Sequence, residues 1–245
     1  MNMLISRPQS AAFPLEYQNL KRLVDYVLCL LVLPLALPVF AIIALAIALD
    51  SEGPIFFIQE RIGQGGRRFR MFKFRTMHHN LDDHQHRVFM RAYVRGQIGN
   101  NELVNDARKA FVKAFVDSPA RANGNDKLIY KPMQAKEVTR VGRILRKTSL
   151  DELPQLINIL RGEMSLIGPR PNVPWEVEEY KPWHYERLEA LPGITGLAQV
   201  RGRSSINFDS IVNYDIEYIE KQSLLMDIKI LWWSAAVVFK GKGAE

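Results

Sequence analysis

The sequence predicts an α/β fold, mostly helical with short strands, on a membrane-associated chain whose N-terminal helix enters the bilayer and returns. Three observations carry that expectation. An uncharged run extends from Tyr26 to Leu49 and contains Pro34 and Pro38. A short strand-like stretch and an alternating one follow it, and apolar residues then frame an acid pair at Leu150, Leu153, Leu156, Ile157 and Leu160.

The apolar run, roughly 24 residues, is long enough to cross a hydrocarbon core as a helix, which needs about 20. It is too long for a signal peptide, and no small-residue cleavage site separates it from Asp50. A single span is the simple alternative, but basic residues flank both ends. Lys21 and Arg22 precede the run, and Arg61, Arg67, Arg68, Arg70, Lys73 and Arg75 follow it. Positive flanks favour the cytoplasm, which a straight crossing satisfies at one end only. A helix broken near Pro38, returning to the side it left, satisfies both. The chain then divides into a polar leader over 1–20, a re-entrant membrane helix over 21–50 and a cytoplasmic domain over 51–245. Pro8 and Pro14 argue against a continuous helix in the leader.

Gly53 to Gly63 reads as a turn followed by a short strand, and Phe69 to Phe74 alternates apolar and basic residues. A hairpin is expected that presents Arg70, Lys73 and Arg75; a solvated basic face near anionic lipid is the plain reading of it. Residues 80–135 read as an insertion, polar at first and helical in pattern around Glu102 to Val116. His78, His79, Asp82, Asp83, His84 and His86 open this region, but their spacing fits no single metal site.

The acid pair Asp151-Glu152 then sits in an apolar frame, with Arg143, Arg146 and Lys147 before it and Arg161 and Arg170 after it. Its plain reading is a helix start: Ser149 as cap, Glu152 as capping-box partner and Asp151 at the positive end of the dipole. Farther on, Leu191 to Gly196 is dense in turn formers, and Ala198 to Arg203 reads as a short strand. Phe208 to Lys221 reads as a helix. Met226 to Phe239, with Trp232 and Trp233, suits a helix at the membrane interface or an ordinary core-facing one.

A charge of +7 and a pI of about 9.5 favour an anionic partner: nucleic acid, a lipid surface or a phosphorylated substrate. The single cysteine, Cys29, excludes an internal disulfide framework.

Several ordered blocks together resemble a known family, the bacterial sugar transferases or monotopic phosphoglycosyl transferases. They are Lys21-Arg22 with Asp25, Gly53-Pro54-Ile55-Phe56, Phe72 to Met77, Ser149 to Gln155, Ser165 to Pro171, and Pro192 to Arg203. The resemblance spans nearly the whole chain outside the leader and residues 80–135. It implies transfer of a sugar 1-phosphate from a UDP-sugar to polyprenyl (undecaprenyl) phosphate, with release of UMP, as the start of surface glycan assembly. By the same resemblance Asp151 is the nucleophile that becomes a phosphosugar-aspartate, and Glu152 completes the dyad. Arg146, Arg170, Lys73, Arg75, Gln199 and Arg203 are assigned to phosphate or nucleotide. Lys21, Arg22 and Pro38 are assigned to the polyprenyl phosphate and membrane.

The residue types suit that chemistry. A carboxylate is a workable covalent nucleophile, and guanidinium groups neutralise phosphate oxygens with fixed geometry. Mg²⁺, expected at Asp151, is held by one carboxylate plus substrate phosphates in sites of this kind. Further implications are membrane lipid as a partner, no nucleic acid, a possible homodimer, and a place on the cytoplasmic face of the bacterial inner membrane. The chain departs from the family in carrying Leu37, where Ser often precedes the breaking proline, and in the extra Pro34. Two rivals stand beside this reading. One is a membrane glycosyltransferase that releases UDP, and the other a non-catalytic basic membrane-anchored binding protein. An acid pair framed by arginines is a poor arrangement for binding a polyanion alone.

Overall fold

A computed structural model describes residues 15–79, 83–97, 137–201 and 206–239. Among these the chain is mostly helical, with four short strands in two small sheets.

Helix α1 spans Leu15–Asp50 and runs through both prolines without a non-helical residue. The expected interruption at Pro38 is therefore absent: each proline removes one amide donor, but the flanking turns keep helical backbone. Lys21, Asp25, Cys29, Ala36, Ile43 and Ile47 are buried, close to the spacing of one helical stripe. The other faces are apolar and open, as at Leu31, Leu35, Ile42 and Leu49. Both ends of α1 are docked on the rest of the protein. Near its start, Lys21 pairs with Asp227 at 2.8 Å and the Ser165 hydroxyl donates to Asp25 at 2.7 Å. Near its end, Ile43 and Ile47 pack with Phe74 and Leu145, and Asp50 accepts from the Val141 amide at 2.9 Å.

The expected hairpin is present. Strands β1 (Phe56–Ile62) and β2 (Arg68–Phe74) pair antiparallel, Phe56 opposite Phe74 and Ile62 opposite Arg68. Because side chains alternate along a strand, Phe69, Met71 and Lys73 share one face and Phe74 lies on the other. Phe69 and Met71 pack with Leu156 and Ile159, so Lys73 is turned toward the same side of the body. Phe74 packs against the C-terminal half of α1.

After β2 the chain leaves on an excursion whose two ends are joined: Met77 bridges Val138, and the Thr139 amide donates to the Thr76 carbonyl at 3.1 Å. Its first part is not a surface decoration. Helix α2 (His84–Val94) buries Met90, Tyr93 and Val94 against Tyr180, Phe208 and Val212. The predicted helix around 102–116 lies outside the described residues.

Helix α3 (Arg140–Thr148) is capped by the Thr139 hydroxyl, which accepts from the Gly142 amide at 2.9 Å. A Cβ at Gly142 would stand 2.1 Å from the Thr76 carbonyl oxygen, so only glycine lets α3 lie this close to the strand end. Gly142→Ala is expected to cost about 2–3 kcal/mol by forcing the two apart. A denaturation midpoint equal to that of the unsubstituted protein would show that the helix shifts freely. Ser149 ends α3 in the left-handed region, φ 58°, and caps nothing with its side chain. The capping-box reading of Ser149 and Glu152 is thus corrected: Ser149 is a helix terminator, and the acids occupy a separate 3₁₀ turn, Leu150–Glu152.

Helix α4 (Gln155–Leu160) follows, then β3 (Ser165–Ile167), which pairs in parallel with β4 (Gly193–Thr195). Between these strands lie the short helix α5 (Pro174–Val177) and a 3₁₀ segment, Pro182–Glu189. The strand expected at Ala198–Arg203 is instead helix α6 (Leu197–Arg201). Its alternation is too short to distinguish from one helical turn, and a helix buries Leu197 and Ala198 together. Helix α7 (Phe208–Lys221) forms where expected, capped by Asn207. Helix α8 (Leu224–Phe239) shows both expected faces: Asp227 and Ile230 are buried, while Leu225, Ile228 and Trp232 are exposed.

Candidate active site

The 3₁₀ turn between α3 and α4 carries Asp151 and Glu152, and three elements bring cations to it. From β2, Lys73 donates to Glu152 Oε1 at 2.7 Å; from the turn after β3, Arg170 donates to the same oxygen at 3.3 Å. From α3, Arg146 lies within electrostatic reach of Asp151. Its Nε donates to the Thr76 hydroxyl at 2.8 Å. Lys73, Arg146 and Arg170 thus converge on the acid pair, and Glu137 also acts on Arg146.

The two acids differ in state. Burial works against ionisation of Glu152, but Lys73 and Arg170 outweigh it and bring the carboxyl down to about 2. Asp151 makes no hydrogen bond among the described residues, and burial pushes its pKa up, with Glu152 adding to the rise and Lys73, Arg146 and Arg170 opposing it. One acid is a fixed anchor for cations, and the other is an unoccupied carboxylate beside them. Since Glu152 lies below its ordinary value, its stabilisation is complete above that value, 4.5, and is lost as pH falls from there through about 2. Stability between about pH 6 and about pH 3 is therefore expected to fall further in the native protein than in Glu152→Gln, by about 2 kcal/mol. Equal losses in urea denaturation would show that the fold does not hold Glu152 ionised.

Asn158, which sequence reasoning missed, registers these elements. It is fully buried; its amide donates to the Arg70 carbonyl and to Glu163, each at 2.7 Å, and its oxygen accepts from the Phe72 amide at 3.1 Å. It thereby hydrogen-bonds the free edge of β2, holding α4 and the acid turn level with Lys73. The available signal was a lone amide inside the apolar run Leu156-Ile157-Asn158-Ile159-Leu160.

Other expected site residues are placed elsewhere. Arg75 is buried and donates to the carbonyls of Ser51, at 2.7 Å, and Glu52, just past the end of α1. Lys21 is likewise buried against Asp227, which also accepts from Tyr17 and Tyr218. Arg22 is exposed, and so is Pro38. Gln199 lies on α6 beside Gly196, both its side-chain polar atoms buried and without a hydrogen bond among the described residues. Arg203 lies outside the described residues. The histidine-rich segment forms no metal-binding cluster among the described residues.

Comparison with known proteins identifies the family. A family model described as bacterial sugar transferase matches residues 16–241. The UDP-galactose-lipid carrier transferase of Erwinia amylovora is 36% identical over 225 residues, covering 92% of this chain and 41% of that protein. The exopolysaccharide production protein ExoY of Sinorhizobium fredii is 34% identical over 224 residues, 91% of this chain and 87% of that protein. The UDP-glucose:undecaprenyl-phosphate glucose-1-phosphate transferase of Caulobacter vibrioides is 37% identical, covering 86% of this chain and 66% of that protein. The chain thus spans about two fifths of the Erwinia relative but most of the Sinorhizobium one. By the extent of these matches, and with its acid pair set among three cations, the chain belongs to the bacterial sugar transferase family.

Proposed function

We propose that this protein transfers a sugar 1-phosphate from a UDP-sugar to polyprenyl phosphate, starting assembly of a surface glycan. The observation that carries the proposal is the unoccupied Asp151 carboxylate beside a Glu152 already neutralised by Lys73 and Arg170. An Asp151 oxygen attacks the phosphorus that carries the sugar. The bond from that phosphorus to the bridging oxygen breaks, UMP leaves with that oxygen, and a phosphosugar-aspartate remains. A polyprenyl phosphate oxygen then attacks the same phosphorus and frees Asp151. In this reading Arg170, its side chain 39% exposed, and Arg146 neutralise the phosphate oxygens at each stage.

Mg²⁺ fits these residues in one manner. Glu152 is committed to its cations, so Asp151 is the carboxylate available to share a metal with substrate phosphates. Bound there, the ion would supply further neutralisation of phosphate charge.

A membrane setting is supported by α1, which is long and apolar enough to cross a bilayer. Lys21 and Asp50 are separated by about 44 Å along a straight helix, yet both ends pack on one body. This favours a helix with both ends on one side of the membrane over a single span. The exposed Leu225, Ile228 and Trp232 of α8 add an apolar face tied through Asp227 to the start of α1. The cytoplasmic face of the inner membrane is the site where a UDP-sugar and a polyprenyl phosphate meet.

The deciding experiment supplies the purified protein with Mg²⁺, undecaprenyl phosphate and a panel of UDP-sugars, and resolves UMP from UDP. UMP release dependent on the sugar supports the proposal and names the donor. UDP release would establish the glycosyltransferase rival, and no release would favour a binding protein.

A further inference from the structure

Arg170 sits on a segment that cannot hold itself in place. Pro169 and Pro171 flank it, and neither has an amide hydrogen to donate. The segment is held by its carbonyls instead, and four consecutive ones are each captured by another part of the protein. Pro169 accepts from the Gly193 amide at 2.9 Å, Arg170 from the Arg187 guanidinium at 3.0 Å, Pro171 from Arg61 at 3.0 Å, and Asn172 from the Ile62 amide at 2.9 Å.

Arg187 is the centre of this support. It is 2% exposed, so it does not reach a substrate from solvent. Besides the Arg170 carbonyl, it donates to the Asn172 side chain and to the Tyr180 hydroxyl at 3.0 Å, and it pairs with the buried Asp215 of α7 at 2.6 Å. Its guanidinium also lies over the Phe208 ring at 5.6 Å. A planar fork with several fixed donors can meet a carbonyl, an amide oxygen and a carboxylate at once, whereas a lysine ammonium cannot reproduce that geometry.

We infer that Arg187, with Arg61 in a lesser part, is a positioning residue for Arg170: it holds the Arg170 carbonyl so that the guanidinium stays directed at Glu152 and the incoming phosphate. The inference rests on the phosphotransfer reading of the site. Its consequence is that loss of Arg187 acts through Arg170 and through no other catalytic group.

The test is a double-mutant cycle in the UMP-release assay, with thermal melting of every variant. Arg187→Lys in the native background is expected to lower kcat about 10- to 100-fold, because a displacement near 1 Å at the reacting centre is worth that much. In the Arg170→Ala background the same substitution is expected to change the residual rate less than about twofold. The same factor in both backgrounds, or an unchanged rate in the native background, would overturn the inference in favour of a general structural role. If Arg187→Lys fails to fold, Arg61→Gln is put through the same cycle, with a smaller drop expected and the same non-additivity. Hydrogen exchange distinguishes this inference from the functional one. The amides of Gly168, Arg170, Asn172 and Val173 are expected to exchange faster in Arg187→Lys while those of α4 do not change. That result stands even if the protein releases no UMP, and uniform exchange across both segments overturns the positioning role.

Discussion

Asp151→Asn abolishes nucleotide release, by more than roughly 10³-fold, with circular dichroism and thermal melting unchanged. The exchange is nearly isosteric, and Asp151 makes no hydrogen bond among the described residues, so the fold loses little. The chemistry loses its nucleophile, because an amide oxygen does not form the phosphosugar intermediate. Burial is the largest influence on Asp151 and raises its pKa. The acidic limb of the native rate profile is therefore expected above the ordinary aspartate value, since only the ionised form attacks. A labelled sugar phosphate retained on the native protein, in the absence of polyprenyl phosphate, would mark the covalent step. An active Asn variant would remove Asp151 from the role.

Glu152→Gln lowers kcat by about 100-fold and also moves the pH profile. Glu152 organises Lys73 and Arg170 around one oxygen, at 2.7 and 3.3 Å, and an amide holds both less well. At the same time its negative charge is one of the influences raising Asp151. Removing that charge leaves Asp151 facing only cations, so the acidic limb shifts to lower pH while the maximum falls. General damage to the fold scales the whole profile without moving its limb, which gives the prediction a distinct signature. A lowered rate with an unmoved limb would show that the two carboxylates do not communicate.

Much of this site is legible in the chain itself. The acid pair, its nearby arginines and the hairpin bearing Lys73 are local features: alternation along β2 settles which way Lys73 turns, and that alternation is visible in Phe69 to Phe74. Helix α7 and the apolar length of α1 are equally local. Residues whose partners lie far along the chain are not legible in this way. Arg75 and Lys21 look like phosphate ligands because they are basic and close to the membrane run. In the fold Arg75 meets the carbonyls of Ser51 and Glu52, and Lys21 meets Asp227, about 200 residues away in sequence. Ser149 likewise matches a capping box by spacing, yet its left-handed backbone ends one helix instead of starting another.

Hydrophobic periodicity, turn chemistry and the order of the charged blocks are properties of neighbouring residues, and they suffice for the hairpin, the apolar helix and the identity of the acid pair, though not for the short helix at Leu197–Arg201. The pairing of charges is a property of space. Whether a cation faces substrate or is already neutralised depends on which carbonyl or carboxylate packing brings beside it, and only the tertiary structure decides that. It is packing that gives Glu152 to Lys73 and Arg170, commits Arg75 to the carbonyls of Ser51 and Glu52 and Lys21 to Asp227 of α8, and leaves the Asp151 carboxylate open.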